Sequence, residues 1–329
     1  MVLALGRLVG GLIAVVLSAS LFTNALEWLG RRLGLGHGAL GSIFAALGTA
    51  LPEASIAVLA ALVPGAGAST ADGVSIGAIL GAPLLLATLG LGLLGLGALR
   101  AGRSQLDVPP RALRRDLVLY LSTFGLACLA GMLGLGARWR VPLALALVAV
   151  YLVFAWRVLQ GGAGTQDEEK PRRLWFAPRR DWPSPWAIAG QLGTAAVLML
   201  GGARLFVSVL ASAAAALGLS GFVLAVLVAP LATELPETLN SVLWVGQGKD
   251  TLAAGNITGA LALQGAVVPA IGLAYTPWRF DSAEVVAALV ALAGGLMLLG
   301  GVLRPRRVPA WLLVSPAALY VAFVVWTLA

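Results

Sequence analysis

A succession of apolar runs constrains this chain more than any other feature. Each is about as long as the ~20 residues a helix needs to cross a bilayer. The runs read Val2–Leu29, Ala39–Val63, Gly73–Leu99, Leu117–Leu135, Val141–Leu159, Trp186–Leu217, Phe222–Val245, Thr251–Tyr275, Ala283–Leu303 and Pro309–Leu328. In lipid the backbone must satisfy its own polar groups, and a helix does so within a single segment. The expected fold is therefore all-α: a polytopic membrane protein of about ten transmembrane helices. Charged residues make up 11% of the chain, against roughly 25% in a soluble domain. That is too few to clothe a water-facing surface. Val2–Leu29 exceeds the roughly 7–15-residue apolar core of a signal peptide, so it counts as the first span.

The longest polar gap, Gln160–Pro185, holds Asp167, Glu168, Glu169, Lys170, Arg172, Arg173, Arg179 and Arg180. It reads as a solvated linker. It divides the chain into a first five-helix half at 1–159, the linker at 160–185 and a second five-helix half at 186–329. Basic residues crowd alternate gaps: Arg31 and Arg32, then Arg100, Arg103, Arg111, Arg114 and Arg115, then Arg157 with the linker bases, then Lys249, then Arg304, Arg306 and Arg307. The opposite side holds only Arg7, Arg138, Arg140 and Arg279. Basic loops stay cytoplasmic, so the expectation is a prokaryotic-type inner membrane with the linker inside and both termini outside.

This distribution also accounts for the net charge of +8. No basic patch is interleaved with aromatics, so the expected partners are the lipid bilayer and inorganic cations, not nucleic acid. Cys128 is the single cysteine and lies in an apolar run, where it reads as a small core residue. His37, the single histidine, sits in a glycine-rich gap and reads as a loop residue. There is no His-Glu-x-x-His, no paired aspartate motif and no nucleotide-binding loop. An enzyme or a nucleotide-driven pump is therefore not expected, and neither is a cofactor.

The second and seventh runs share a motif. Ala46-Leu-Gly-Thr-Ala-Leu-Pro-Glu53 in one matches Pro230-Leu-Ala-Thr-Glu-Leu-Pro-Glu237 in the other. The runs that follow also match, Gly73-Val-Ser-Ile-Gly77-Ala78 with Gly255-Asn-Ile-Thr-Gly259-Ala260. The copies lie five spans apart, so they should cross the membrane in opposite directions. This is the pattern of two inverted five-helix repeats, whose site lies near the midplane on discontinuous helices.

The motif chemistry fits that geometry. Proline has no N–H and clashes with the preceding turn. Pro52 should free carbonyls near Gly48 and Thr49, and Pro236 those near Ala232 and Thr233. Each glutamate then lies near the N-terminus of a resumed half-helix, where the dipole favours a carboxylate. An intramembrane acid costs about 2.5–3.5 kcal/mol on insertion scales, so a duplicated pair needs a function. Glu53 and Glu237, the hydroxyls of Thr49 and Thr233 and carbonyls at Gly48 and Ala232 would make an all-oxygen cage for a hard cation. Ser75, Gln264, Glu234, Asn240 and Ser241 are secondary candidates along the ion path. Glu234 has no acidic counterpart, since Ala50 occupies its place. Gln264 lies eight residues after Asn256 and shares its face if the helix is regular.

These residues resemble the cation/calcium exchanger superfamily. The two small-Thr-x-Leu-Pro-Glu segments are similar to its paired repeat motifs, and Gly255-Asn256-Ile-Thr-Gly259 to the Gly-Asn-x-x-Gly that follows. The resemblance implies a ten-helix inverted-repeat fold and cation antiport by alternating access. It implies Ca2+ binding by Glu53 and Glu237 with Thr49 and Thr233, and Asn256 as a further ligand. The family pattern continues Gly-Asn-x-x-Gly-Ser-Asn, whereas this chain has Val74, Ala78 and Ile79 in one copy and Ala260 and Leu261 in the other. Oxygens expected for sodium are thus missing, and the counter-ion is left open between Na+ and H+. A channel, or an exchanger of other cations, is the alternative on the same fold.

Overall fold

A computed structural model describes residues 2–32, 54–59, 68–108, 110–160, 173–302 and 307–329. The first half contains α1 (Val2–Arg32), α2 (Ala68–Leu85), a π-helical segment (Leu86–Gly90), α3 (Leu91–Arg100), a short strand β1 (Gln105–Asp107), α4 (Pro110–Met132) and α5 (Ala137–Gln160). The second contains α6 (Pro185–Leu217), α7 (Gly221–Thr233), α8 (Leu235–Gly246), α9 (Asp250–Gln264), α10 (Val267–Tyr275), α11 (Ser282–Val302), β2 (Arg307–Pro309), α12 (Ala310–Val314) and α13 (Ala317–Leu328).

Eight helical stretches among the described residues are long and apolar enough to cross a membrane, and Gly221–Leu231 is a shorter apolar helix. The fold is an all-α integral membrane bundle. The second apolar run falls mostly outside the described residues, which retain only a helical stretch at 54–59. His37 also lies outside them.

Burial sorts the spans. Asp72–Arg100 and Asp250–Tyr275 are the most enclosed, with 83% and 78% of their apolar windows buried. The outer helices present large apolar side chains outward, as lipid solvation allows: Leu145 on α5 is 67% exposed and Val197 on α6 is 70% exposed. The two central spans are those with the glycine-rich motifs, and in the first of them close approach explains the glycines. A Cβ on Gly77 would lie 2.7 Å from the Phe222 carbonyl oxygen, and one on Gly81 would lie 2.5 Å from Pro230 Cγ. Only glycine lets α2 lie this near α7. The packing between α1 and α6 is reciprocal: a Cβ on Gly11 would stand 2.9 Å from the Gly202 oxygen, and one on Gly202 would stand 2.8 Å from the Gly11 oxygen.

One large apolar cluster draws on both sides of the linker, including Leu84, Phe124, Val226, Leu261, Trp278 and Phe323. Trp278 is fully buried and donates from its indole nitrogen to the Ala127 oxygen at 2.8 Å. The short strands add a second tie: β1 and β2 pair antiparallel, with Gln105 opposite Pro309 and Asp107 opposite Arg307. Beside them Asp250, at the start of α9, takes Arg103 Nη1 at 2.6 Å and the Asp107 amide at 2.9 Å. Residues 173–184 lean on α1 and α6: Arg32 donates to the Pro183 oxygen at 2.8 Å, and the Phe176 amide donates to Gln191 Oε1 at 3.0 Å.

Helix boundaries differ from the apolar runs at several points. α4 opens at Pro110, well before Leu117, and carries Arg111, Arg114, Arg115 and Asp116 on its first turns. Proline is at ease there because a first turn needs no N–H partner. The final run is divided at Ser315 and Pro316, where proline cannot continue the ladder of α12.

Candidate functional site

The seventh run breaks at its motif. α7 stops at Thr233, Glu234 forms the junction, and α8 resumes at Leu235 with proline in its first turn. Pro236 has no N–H to give the Ala232 carbonyl, as the motif predicts. The chain does not turn away at the junction. The Glu234 amide bonds the Pro230 oxygen at 2.8 Å, and the Thr238 amide bonds the Glu234 oxygen at 2.9 Å. Glu237 is the third residue of α8, in the turn where a helix N-terminus favours negative charge.

Thr233 is buried, and its hydroxyl donates to the Ala229 oxygen at 3.0 Å. A hydroxyl spends one proton this way and keeps its lone pairs. Thr233 Oγ1 therefore remains an acceptor at the break. Glu234 is fully buried, and Gln264 Nε2 donates to its Oε1 at 2.5 Å. Asn256 Nδ2 donates to Ser241 Oγ at 3.1 Å. α9 runs unbroken from Asp250 to Gln264, so Asn256 and Gln264 do share a face, and both meet the broken helix. Asn240 is exposed, unlike its buried neighbour Ser241.

The first half makes a matching contact. Ser75 is fully buried and donates to the Ala57 oxygen at 2.9 Å. Ala57 stands four residues after Glu53, as Ser241 stands four after Glu237. In both halves the helix after the motif is thus hydrogen-bonded to the motif's C-terminal side. Glu53, Thr49 and Gly48 lie outside the described residues.

Two features escape sequence reasoning. Thr238 is fully buried one turn beyond Glu234, and its Oγ1 has no hydrogen-bond partner among the described residues. It lies i+4 from a buried acid in the segment just after the break, and that spacing was its only signal. The other is the π-helical segment Leu86–Gly90, whose Gly90 faces Thr238: a Cβ there would lie 3.5 Å from Thr238 Oγ1. Single-turn π segments are frequent at functional sites.

The comparisons agree with this architecture. The family model for the sodium/calcium exchanger protein matches residues 3–160 and 188–329. The inner membrane protein YrbG of Escherichia coli (strain K12) is 26% identical over 331 residues, covering 99% of this chain and 98% of that protein. A solved H+/Ca2+ exchanger, CAX, superposes with a TM-score of 0.79 at 18% identity, over 99% of this chain and 82% of that one. A sodium-calcium exchanger, NCX_Mj, gives a TM-score of 0.61 at 21% identity, over 98% of both chains. With its family model matched across both halves, the chain belongs to the sodium/calcium exchanger protein family.

Proposed function

We propose that this chain is a secondary-active cation antiporter that exchanges Ca2+ for Na+ or H+ by alternating access. The observation that carries the reading is the helix broken at Thr233–Glu237 against the buried polar face of α9. A membrane helix interrupted at a proline leaves carbonyl oxygens that are tolerated only beside a protected polar cavity. Glu53 and Glu237 are the divalent ligands, aided by the hydroxyls of Thr49 and Thr233 and by carbonyls at Gly48 and Ala232. Asn256 completes the set from α9. Two carboxylates balance a divalent ion, and hard oxygen donors suit Ca2+ better than a soft transition metal. The names of the structural neighbours, an H+/Ca2+ exchanger and a sodium-calcium exchanger, support Ca2+ as cargo and both counter-ions as options. No cofactor and no catalytic step enter this cycle.

The chain divides into halves 1–159 and 186–329 around the 160–185 linker. Ala57 and Ser241 are equivalent in the aligned motifs, and each accepts from the helix that follows, from donors Ser75 and Asn256 one aligned position apart, which supports treating the halves as repeats. The charge bias supports a cytoplasmic linker with both termini outside.

The test is uptake of radiolabelled Ca2+ into proteoliposomes, with Na+ and pH gradients imposed separately. Wild-type protein should accumulate Ca2+ under at least one gradient. Glu53→Gln and Glu237→Gln should each abolish accumulation. Full uptake in both variants would overturn the ligand assignment, and Ca2+ flux indifferent to either gradient would make the protein a channel.

A further inference from the structure

Residues 173–186 show more aromatic surface than a water-facing linker needs. Trp175, Phe176 and Trp182 are each about half exposed, and Trp186 is 85% exposed. The segment is nonetheless firmly held. Leu174 is fully buried in a small cluster with Ala25, Trp28 and Ile188, apart from the large core. Gln191 is also fully buried. It accepts from the Phe176 amide and donates to the Leu21 oxygen at 2.9 Å and to Asn24 Oδ1 at 3.0 Å. Arg32 holds the other end through the Pro183 oxygen. Fastened in this way to α1 and α6, the loop cannot fold its rings inward.

Arginines accompany the rings. The Arg32 guanidinium lies 5.7 Å from the ring centroid of Trp182. That of Arg31 lies 5.7 Å from Trp28, which meets Trp182 edge-on at 6.0 Å. A guanidinium laid over a ring keeps its in-plane N–H groups, the ones that fit a phosphate. Arg173, Arg179 and Arg180 are exposed on the same segment. The acids within 27–32 and 173–186 are Glu27 and Asp181, and Asp181 stands 3.5 Å from Arg173. The two stretches together are therefore cationic.

Position decides what meets this surface. The apolar stretch of α1 ends at Leu29, and that of α6 begins at Pro185. Residues 173–184 thus join the two helices where hydrocarbon gives way to headgroups. Tryptophan concentrates at that level, and basic side chains there attract anionic lipid. A free phosphate would use the arginines and leave the rings in water. An apolar partner would cover the rings and bury the arginines at a cost. A lipid with an anionic headgroup answers both, with phosphate on guanidinium and glycerol and acyl carbons against the rings.

We infer that residues 173–186, with the end of α1, form a docking platform for anionic phospholipid that fastens the α1–α6 pair to the headgroup layer. The platform stands apart from the transported ions and holds whichever cation is exchanged.

The full chain in detergent is titrated with phosphatidylglycerol, or with phosphatidylcholine of the same acyl chains, and bound lipid is read by native mass spectrometry. Wild-type protein should bind phosphatidylglycerol about tenfold more tightly or better. Arg173→Gln, Arg179→Gln and Arg180→Gln combined should lose most of that preference. Arg111→Gln, Arg114→Gln and Arg307→Gln combined remove the same charge from α4 and β2, and should retain it. Trp175→Ser with Trp186→Ser should weaken both lipids. All these positions are exposed, so lipid-free thermal midpoints should match wild type. Should a combined variant fail to fold, its single substitutions carry the test. The proposal is overturned if wild-type protein shows no preference, if the 173/179/180 variant keeps it, or if the 111/114/307 variant loses as much. Competition by inorganic phosphate at the concentration of the lipid would make this a free-anion site instead. A wild-type dimer that the tryptophan variant dissolves, with lipid binding unchanged, would make the face an interface between copies.

Discussion

Asp250 shows what one carboxylate does when it opens a helix. It is 5% exposed, receives Arg103 and the Asp107 amide, and begins α9. Charge at a helix N-terminus complements the dipole, and the arginine removes the cost of burying it. Asp250→Ala would leave Arg103 half-buried beside a bare helix end. The expected loss is on the order of 1–3 kcal/mol, since Arg103 keeps partial solvent access and its pairing is screened. A lowered thermal midpoint for the purified protein in detergent, with Ca2+ absent, checks this. At this scale the sequence was legible where the chemistry is duplicated. Glu237 and Thr233 stood out because a second copy repeats them. Thr238 did not, because a threonine inside an apolar run is ordinarily a back-bonded residue, as Thr233, Thr123 and Thr327 are here. Only burial without a partner among the described residues sets it apart, and that depends on tertiary packing.

Among the elements, the broken helix is the one that sequence chemistry dictates most directly. Pro236 removes the N–H that the Ala232 carbonyl would take, and α7 ends within three residues of it. Pro236→Ala restores that donor. The helix should become more continuous, the thermal midpoint should hold or rise, and gradient-driven Ca2+ uptake should fall about tenfold or more as the carbonyl is withdrawn from the ion. Uptake at the wild-type rate would show that the freed carbonyl is not a ligand. Other elements were less legible. Leu86–Gly90 is π-helical, yet Leu-Ala-Thr-Leu-Gly reads like any stretch of an apolar span. The extension of α4 back to Pro110 was hidden because its first turns are basic and resemble loop. Hydropathy locates the part of a helix that lies in lipid and is silent about turns that project beyond it. The pairing of β1 with β2 joins residues 105–107 to 307–309, a separation at which local pattern carries no information.

For the molecule as a whole, the expected orientation follows from arginines in the gaps, and it can be read with thiol reagents. Cys128 is fully buried, so it should stay silent to a membrane-impermeant maleimide. Asp181, on the linker, has a side chain that is 93% exposed. Asp181→Cys should label only from the cytoplasmic side in intact cells and inverted vesicles, and Ala329→Cys only from the outside. The opposite pattern would reverse the topology while leaving the fold as it is. That the spans form a bundle was legible from composition and run length. How they pack was legible only where glycines recur, since Gly77 and Gly81 announce a close neighbour without saying which.

The apolar core is drawn from both sides of the linker, so neither half owns it. Two identical chains joined this way would obey a strict rule: every substitution in one appears in the other, and every site comes in pairs. Tying both halves into one polypeptide lifts that rule. Position 50 can be alanine while position 234 is glutamate, and the charge is acquired once instead of twice. Covalent linkage here thus lets the two matching motifs diverge, each free to carry a residue the other lacks.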